Sequence, residues 1–178
     1  MKILIYLIHK EEKMSEDINR YLKICKQFGV DIVISHIFNK EIQQAQKYDS
    51  SKKSKSNKQG QDNIASKIAY SKALESYIDS QSILLDEGGK LYDSFGFAEL
   101  ISKLISSQGN LHRNNKNLHN YGIKFFIAGA FGFHSSLLAK YHTISLSPMT
   151  FSHKIAKLVL LEQIYRSLSI INNHPYHK

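Results

Sequence analysis

The stretch SLSPMTFSHKIAKLVLLEQIYRSLSIINNHPYHK, Ser145 to Lys178, decides how this chain is read. It holds a short polar loop with Pro148, a strongly apolar helix and the tail Asn-His-Pro-Tyr-His-Lys. Chain ends are ordinarily frayed. This one packs two imidazoles, a phenol and an ammonium into His174 to Lys178, a density of hydrogen-bonding and proton-transfer groups that a disordered end does not need. The helix is expected to open at Phe151 or Ser152 and to run to about Asn172. At about 100° per residue, Leu158, Leu161, Ile164, Leu168 and Ile171 fall on one side, and Ile155, Val159 and Ile170 on another. A helix apolar on two sides is buried on two sides. In a chain this short, the second face is expected to meet another subunit. Glu162 and Arg166 stand i,i+4 in the favourable order, so the plain reading of Arg166 is a helix-surface ion pair.

Upstream, strands and helices alternate. Residues 2–8 read as a buried strand and 14–28 as a helix with Ile18, Tyr21, Leu22, Ile24 and Cys25 on its apolar stripe, stopped at Gly29. Val30 to Ile37 is a second strand. Residues 43–62, heavy in Ser, Lys, Gln and Asn, read as a mobile basic loop, either a solvated insertion or a segment touching RNA. Ile64 to Ile78 is helical. Ser82 to Asp86 is a third strand, with Gly88-Gly89 expected to close it in a tight turn. Phe95 to Ser106 is a helix, and 107–120, with His112, Arg113, Lys116 and His119, is a second polar insertion. Ile123 to Ala128 is a fourth strand, followed by the turn Gly129 to Gly132, a short helix at 134–140 and a fifth strand at Thr143 to Leu146. This alternation implies one α/β domain over 1–178, with a mostly parallel sheet and helices on both faces.

The 178 residues carry 24 Lys and Arg against 15 Asp and Glu, a formal net charge of +9. Such an excess suits a polyanionic partner. A single cysteine, Cys25, excludes an internal disulfide and fits a reducing cytoplasm. The apolar run Ile3 to Ile8 is too short for a signal peptide, and His9 to Lys13 is charged where small residues belong. No run reaches membrane-spanning length, so no membrane partner is expected.

Most familiar chemistries fail on motif. The chain has no P-loop and no Gly-x-Ser-x-Gly. Its histidines from 153 to 177 have no ligand spacing backed by carboxylates, so no metal is expected. Gly129-x-x-Gly132 lacks the first glycine and the acidic residue of a dinucleotide site. Three loops remain, each after a strand: Leu85 to Gly89, Ile127 to Ala130, and Leu146 to Phe151. Ligands of open α/β sheets bind at the C-terminal ends of strands. The third loop offers main-chain groups beside Leu146, Met149 and Phe151, a mixture that suits an adenine ring.

These three loops, followed by Ser-His, an apolar helix carrying Tyr-Arg, and His-Pro-Tyr-His-Lys, resemble the rRNA large-subunit methyltransferases H, which methylate N3 of a pseudouridine and belong to the SPOUT superfamily. The likeness is dense from Leu146 to Lys178, good over Leu85 to Tyr92, and partial over Ile127 to Gly132. It implies a SPOUT-type α/β knot, a C-terminal trefoil knot that binds S-adenosylmethionine, a homodimer, and 23S rRNA in the large subunit or assembled ribosome as partner. It implies cofactor contacts from Leu85, Gly129, Leu146, Ser147, Pro148, Met149, Thr150 and Phe151. Ala128 stands where that family usually has the first of two glycines, and Phe131 replaces a usual acid. A methyl at 128 crowds the cofactor if that residue needs positive φ.

Transfer to N3 requires removal of a weakly acidic imide proton. His153 and His177 are the candidate bases, because an imidazole titrates near neutral pH. Tyr176 is expected to orient or stack on the target base, with Arg166 holding phosphate or the developing anion. His174 and Lys178 are expected to contact RNA. Two alternatives stay open: a non-catalytic rRNA-binding protein of the same fold, motivated by Ala128 and Phe131, and a small flavodoxin-like nucleotide-binding enzyme.

Overall fold

A computed structural model describes residues 1–53, 63–79, 81–111 and 122–177, with the side chains of 52, 53, 108–111 and 177 outside that description. Its centre is β1 (Lys2–Leu7), buried on both faces. Ile3, Ile5 and Leu7 point into one core, Leu4 and Tyr6 into the other. A run without polar alternation is what a two-sided strand needs. β1 pairs in parallel with β2 (Asp31–His36) and, on its other side, with β4 (Ile123–Ile127). β4 pairs with β3 (Ser82–Leu91), which pairs with β5 (His142–Ser145). The sheet is parallel throughout, in the order β2-β1-β4-β3-β5. The flavodoxin-like order is 2-1-3-4-5, so the sheet removes that alternative.

The first core takes α1 (Glu16–Cys25), α4 (Ser94–Leu111) and α6 (His153–Ile171). The second takes α2 (Lys40–Lys53), α3 (Ile64–Leu74) and α5 (Ser135–Lys140). Helices thus cover both faces, as the alternation implied. Ser15 caps α1 by accepting from the Ile18 N–H, and Gly29, at φ 70°, ends the short 3-10 turn that follows.

Three readings need correction. Residues 43–53 of the supposed basic loop belong to α2, which begins at Lys40. Asn39 accepts from the Ile42 N–H at 2.8 Å, Ile42 is fully buried, and the nearly buried Asp49 accepts from the Ser66 N–H at 2.7 Å. The stripe Ile42, Ala45, Asp49 has helical spacing, but its last member is a carboxylate. Residues 54–62 lie outside the described residues. The second insertion begins later than expected: α4 continues to Leu111, and 112–121, with His112, Arg113, Lys116 and His119, lie outside the described residues. Gly88-Gly89 is no turn. β3 runs through it to Leu91 with an irregularity between Leu85 and Lys90, pairing Ile144 on both sides of the break.

α6 is buried on the side of Leu160, Leu161, Ile164, Tyr165 and Leu168. Leu160 and Tyr165 were not on the expected stripe, and Ile171, which was, is exposed. Ile155, on the second side, is 47% exposed.

Candidate active site

The irregular middle of β3 and the loops after β4 and β5 meet around one cavity of about 620 Å³. Each is built by local bonds. Within the irregularity of β3, the Asp86 carboxylate accepts from the Gly88 N–H at 3.0 Å. After β4, the Gly132 N–H donates to the Gly129 carbonyl at 3.1 Å, and Gly132 takes φ 73°, which glycine adopts without penalty. After β5, the Ser145 hydroxyl donates to the Ser147 carbonyl at 2.8 Å, and the Ser147 hydroxyl accepts from the Met149 N–H at 3.0 Å. The Thr150 hydroxyl then donates to Glu87, tying the third loop to the first.

Of the expected cofactor residues, Leu85, Gly129, Leu146, Ser147, Met149, Thr150 and Phe151 line the cavity. Pro148 is not among its lining residues. Sequence reasoning left Asp86, Glu87, Ile127 and Ala156 unassigned, although they also line it. The carboxylates were in view inside the first loop, but nothing in the sequence aims them.

Gly129 needs its missing side chain for a different reason from the one expected. A Cβ there would lie 2.6 Å from the Tyr70 hydroxyl and 2.9 Å from the Ile8 carbonyl oxygen. Tyr70 is fully buried on α3, accepts from Gln46 Nε2 at 2.7 Å, and holds this turn against the second core. Burial raises its phenol pKa. Ala128 does not take positive φ, and it and Phe131 pack against the same core. The premise for crowding by Ala128 is therefore absent.

His153 opens α6 on the cavity wall, behind Ser152, whose hydroxyl accepts from the Ile155 N–H at 3.4 Å. Its ring stacks on His9 at 3.8 Å, and its Nε2 lies 3.7 Å from Glu12 Oε1. That same oxygen accepts from Lys157 Nζ at 3.0 Å, and Lys154 Nζ lies 3.3 Å from Oε2. Burial pushes the Glu12 carboxyl up, but Lys157 and Lys154 together pull it down to about 2. Burial, and next the neighbouring His9, lower the His153 pKa below its ordinary 6.5, Glu12 opposing. Neutral imidazole is the form that accepts a proton. His9, Glu12 and His153 are close enough to share one cation. Two ammoniums already occupy the carboxylate, however, and that weakens its appeal to a metal.

The tail folds back on the far end of α6. The His174 N–H donates to the Ser169 carbonyl at 2.8 Å, and Asn173 takes a left-handed φ of 52° to make the bend. The His174 ring meets Phe28 edge-on at 5.6 Å. Tyr176 packs edge-on against Tyr165 at 4.6 Å, and its hydroxyl donates to Glu162 Oε1 at 3.3 Å. The Arg166 guanidinium lies 5.1 Å from the Tyr176 ring centre and donates to Glu162, with Nε at 2.9 Å. This bond raises the Arg166 pKa further. The plain ion-pair reading of Arg166 is present within the chain. Lys178 and the side chain of His177 lie outside the described residues. Thirteen residues of helix separate His153 from Arg166, about 20 Å along the axis. One chain therefore does not bring its two groups of candidate residues together.

A family model described as a predicted SPOUT methyltransferase matches residues 1–177. The chain belongs to the SPOUT methyltransferase family. Its relatives agree along their full lengths. The ribosomal RNA large subunit methyltransferase H of Wolinella succinogenes is 39% identical over 182 residues, covering 100% of both chains. That of Helicobacter hepaticus is 41% identical over 179 residues, again with 100% of both covered. A Helicobacter pylori protein of the same name is 38% identical over 180 residues. For a SPOUT methyltransferase the cavity has suitable walls. Leu85, Ile127 and Phe151 would offer apolar faces to a purine, the loop backbones polar edges, and Asp86 and Glu87 negative charge to a cationic cofactor.

Proposed function

We propose that this chain transfers a methyl group from S-adenosylmethionine to N3 of a pseudouridine in 23S rRNA of the large ribosomal subunit, working as a cytoplasmic homodimer on the subunit or assembled ribosome. The observation that carries the reading is the cavity at the irregularity of β3 and the ends of β4 and β5, with a neutral-leaning His153 on its wall. Bound there, S-adenosylmethionine supplies an electrophilic methyl group. Leu85, Gly129 and the 146–151 loop hold the cofactor, and His153 receives the imide proton of N3. Positioning supplies much of the rate, because transfer needs an in-line approach.

The same reading carries the trefoil knot. Its support is β5 seated beyond β3 at the sheet edge, with Thr150 returning to bond Glu87. The homodimer is supported by apolar surface near these elements: Leu91, Phe95, Met149 and Ile155 are each at least 47% exposed. A partner also answers the separation along α6. Arg166, Tyr176 and His177 act on the substrate held at the other protomer's His153, while His174, Lys178 and the net charge of +9 hold RNA. The described residues contain no helix long and apolar enough to cross a membrane.

The non-catalytic alternative loses the part of its motive that rested on Ala128, which does not take positive φ. Mass spectrometry of 23S rRNA nucleosides from cells with and without this protein tests the reading. Loss of N3-methylpseudouridine on deletion is the expected result. An unchanged nucleoside profile overturns it.

A further inference from the structure

Charged and titratable groups from three separate segments converge beside the cavity wall. His9 and Glu12 follow β1, His36 ends β2, and His153, Lys154 and Lys157 begin α6. Lys157 is 1% exposed, and its ammonium donates to Glu12 Oε1. His9 Nδ1 lies 2.8 Å from the Lys10 carbonyl oxygen, so that nitrogen carries the His9 proton. His153 Nε2 is buried and has no hydrogen-bond partner, with Glu12 Oε1 3.7 Å away. A lone pair at Nε2 would face an ionised carboxylate, whereas a proton there faces an acceptor. The Nε2–H tautomer is the favoured one on electrostatic grounds.

We propose that Glu12, pinned by Lys157 and Lys154, is a positioning residue for methyl transfer. It keeps the proton of His153 on Nε2 and so leaves the Nδ1 lone pair to take the substrate's imide proton. The proposal rests on the reading of His153 as base. The proton leaves N3 for Nδ1, and the imidazolium so formed is stabilised by Glu12 through Nε2–H. Burial and the neighbouring His9 disfavour the charged ring, which returns to neutrality by passing the added proton to solvent water. His9 stacks on one face of the ring and limits its rotation. His36, its pKa lowered by burial and then by Lys157, is biased toward its neutral form.

The test uses full-length enzyme and ribosomes from cells lacking it. Glu12→Gln is expected to lower kcat by about ten- to a hundred-fold, less than the loss of the base itself, because the contact it removes is long. KM for ribosomes and the Kd for S-adenosylmethionine stay within about two-fold. The acid limb of the pH–rate profile moves to lower pH, because Glu12 raises the His153 pKa. Imidazole 15N spectra read Nε2–H at His153 in wild type and a mixture of tautomers in Glu12→Gln. If Glu12→Gln folds poorly, the double variant Glu12→Gln/Lys157→Met removes the pair as a neutral unit and is expected to show the same loss of kcat. Wild-type kcat in whichever of these variants folds, or an Nδ1–H tautomer in wild type, overturns the proposal. His153→Gln separates the two levels. If it is active, the base assignment itself fails. If it is inactive while Glu12→Gln turns over normally, only the role of Glu12 fails.

Discussion

Gly89 lies flat against the backbone of Ile144: a Cβ at 89 would stand 2.5 Å from the Ile144 carbonyl carbon and 2.8 Å from its Cα. The glycine is there so that β3 can run past β5 without a side chain between them. It does not take positive φ.

Gly89→Ala is therefore expected to lose about 1–3 kcal/mol, the cost of forcing atoms into a packed site. Gly88→Ala is its control. There the nearest atom to a new Cβ is Asp86 Oδ1 at 3.4 Å, and it is a side chain. Its change should stay within about 0.5 kcal/mol. Urea unfolding of the two variants side by side checks this, and equal stabilities would contradict the packing described.

Gly129→Val is expected to lower both cofactor affinity and the melting temperature. The new side chain meets Tyr70 and the Ile8 carbonyl before it meets any ligand. Calorimetry with S-adenosylmethionine and a thermal melt read the two effects. Weakened binding at an unchanged melting temperature would mean that the turn yields without disturbing α3.

Stability should depend on acid through Glu12. Its carboxyl titrates at about 2 in the fold against an ordinary 4.5. A carboxyl lowered by folding stabilises above its unfolded pKa, and the contribution is lost as pH falls from 4.5 towards 2. Wild-type melting temperature should fall more steeply across that window than that of Glu12→Gln. The variant should be the less stable at pH 7, where Lys157 is left buried and unpaired. Parallel slopes would show that the Glu12 pairing contributes little.

Mixing inactive variants tests the shared site. His153→Gln and Arg166→Ala homodimers should each be nearly inactive. After subunit exchange, an equal mixture should recover about a quarter of wild-type turnover, since half the dimers are mixed and each carries one intact site. Arg166→Ala alone should keep its affinity for S-adenosylmethionine, because its helix turn lies far from the cavity. A mixture no more active than its parents would place both residues in the same protomer's site.

How far the sequence could be read depended on where the decisive neighbour lay. β1 and β4 announce themselves because their burial is continuous along the chain, and β2, β5 and α6 because their apolar residues cluster in sequence. The 146–151 loop was readable for a related reason: all of its residues but Pro148 line the cavity, within one short run. α2 was not, because its stripe ends in Asp49, whose partner Ser66 lies beyond an intervening polar segment. The course of β3 was hidden by two glycines that resemble a turn, when Gly89 answers to a backbone 55 residues further on. The partners of His153 were invisible for the same reason. Glu12 and His9 reach it only through the parallel sheet, which delivers the end of β1 to the start of α6.

The cavity also has a biogenetic consequence. Its walls come from residues 85–87 and 127–132 on one side and from 146–156 on the other. During synthesis the first four strands emerge before the loop that completes the pocket. A ribosome-bound nascent chain can therefore assemble most of its sheet while still lacking a place for ligand. On the proposed reading, competence to bind cofactor arrives with the final helix, so a prematurely terminated product would withdraw none from the cell.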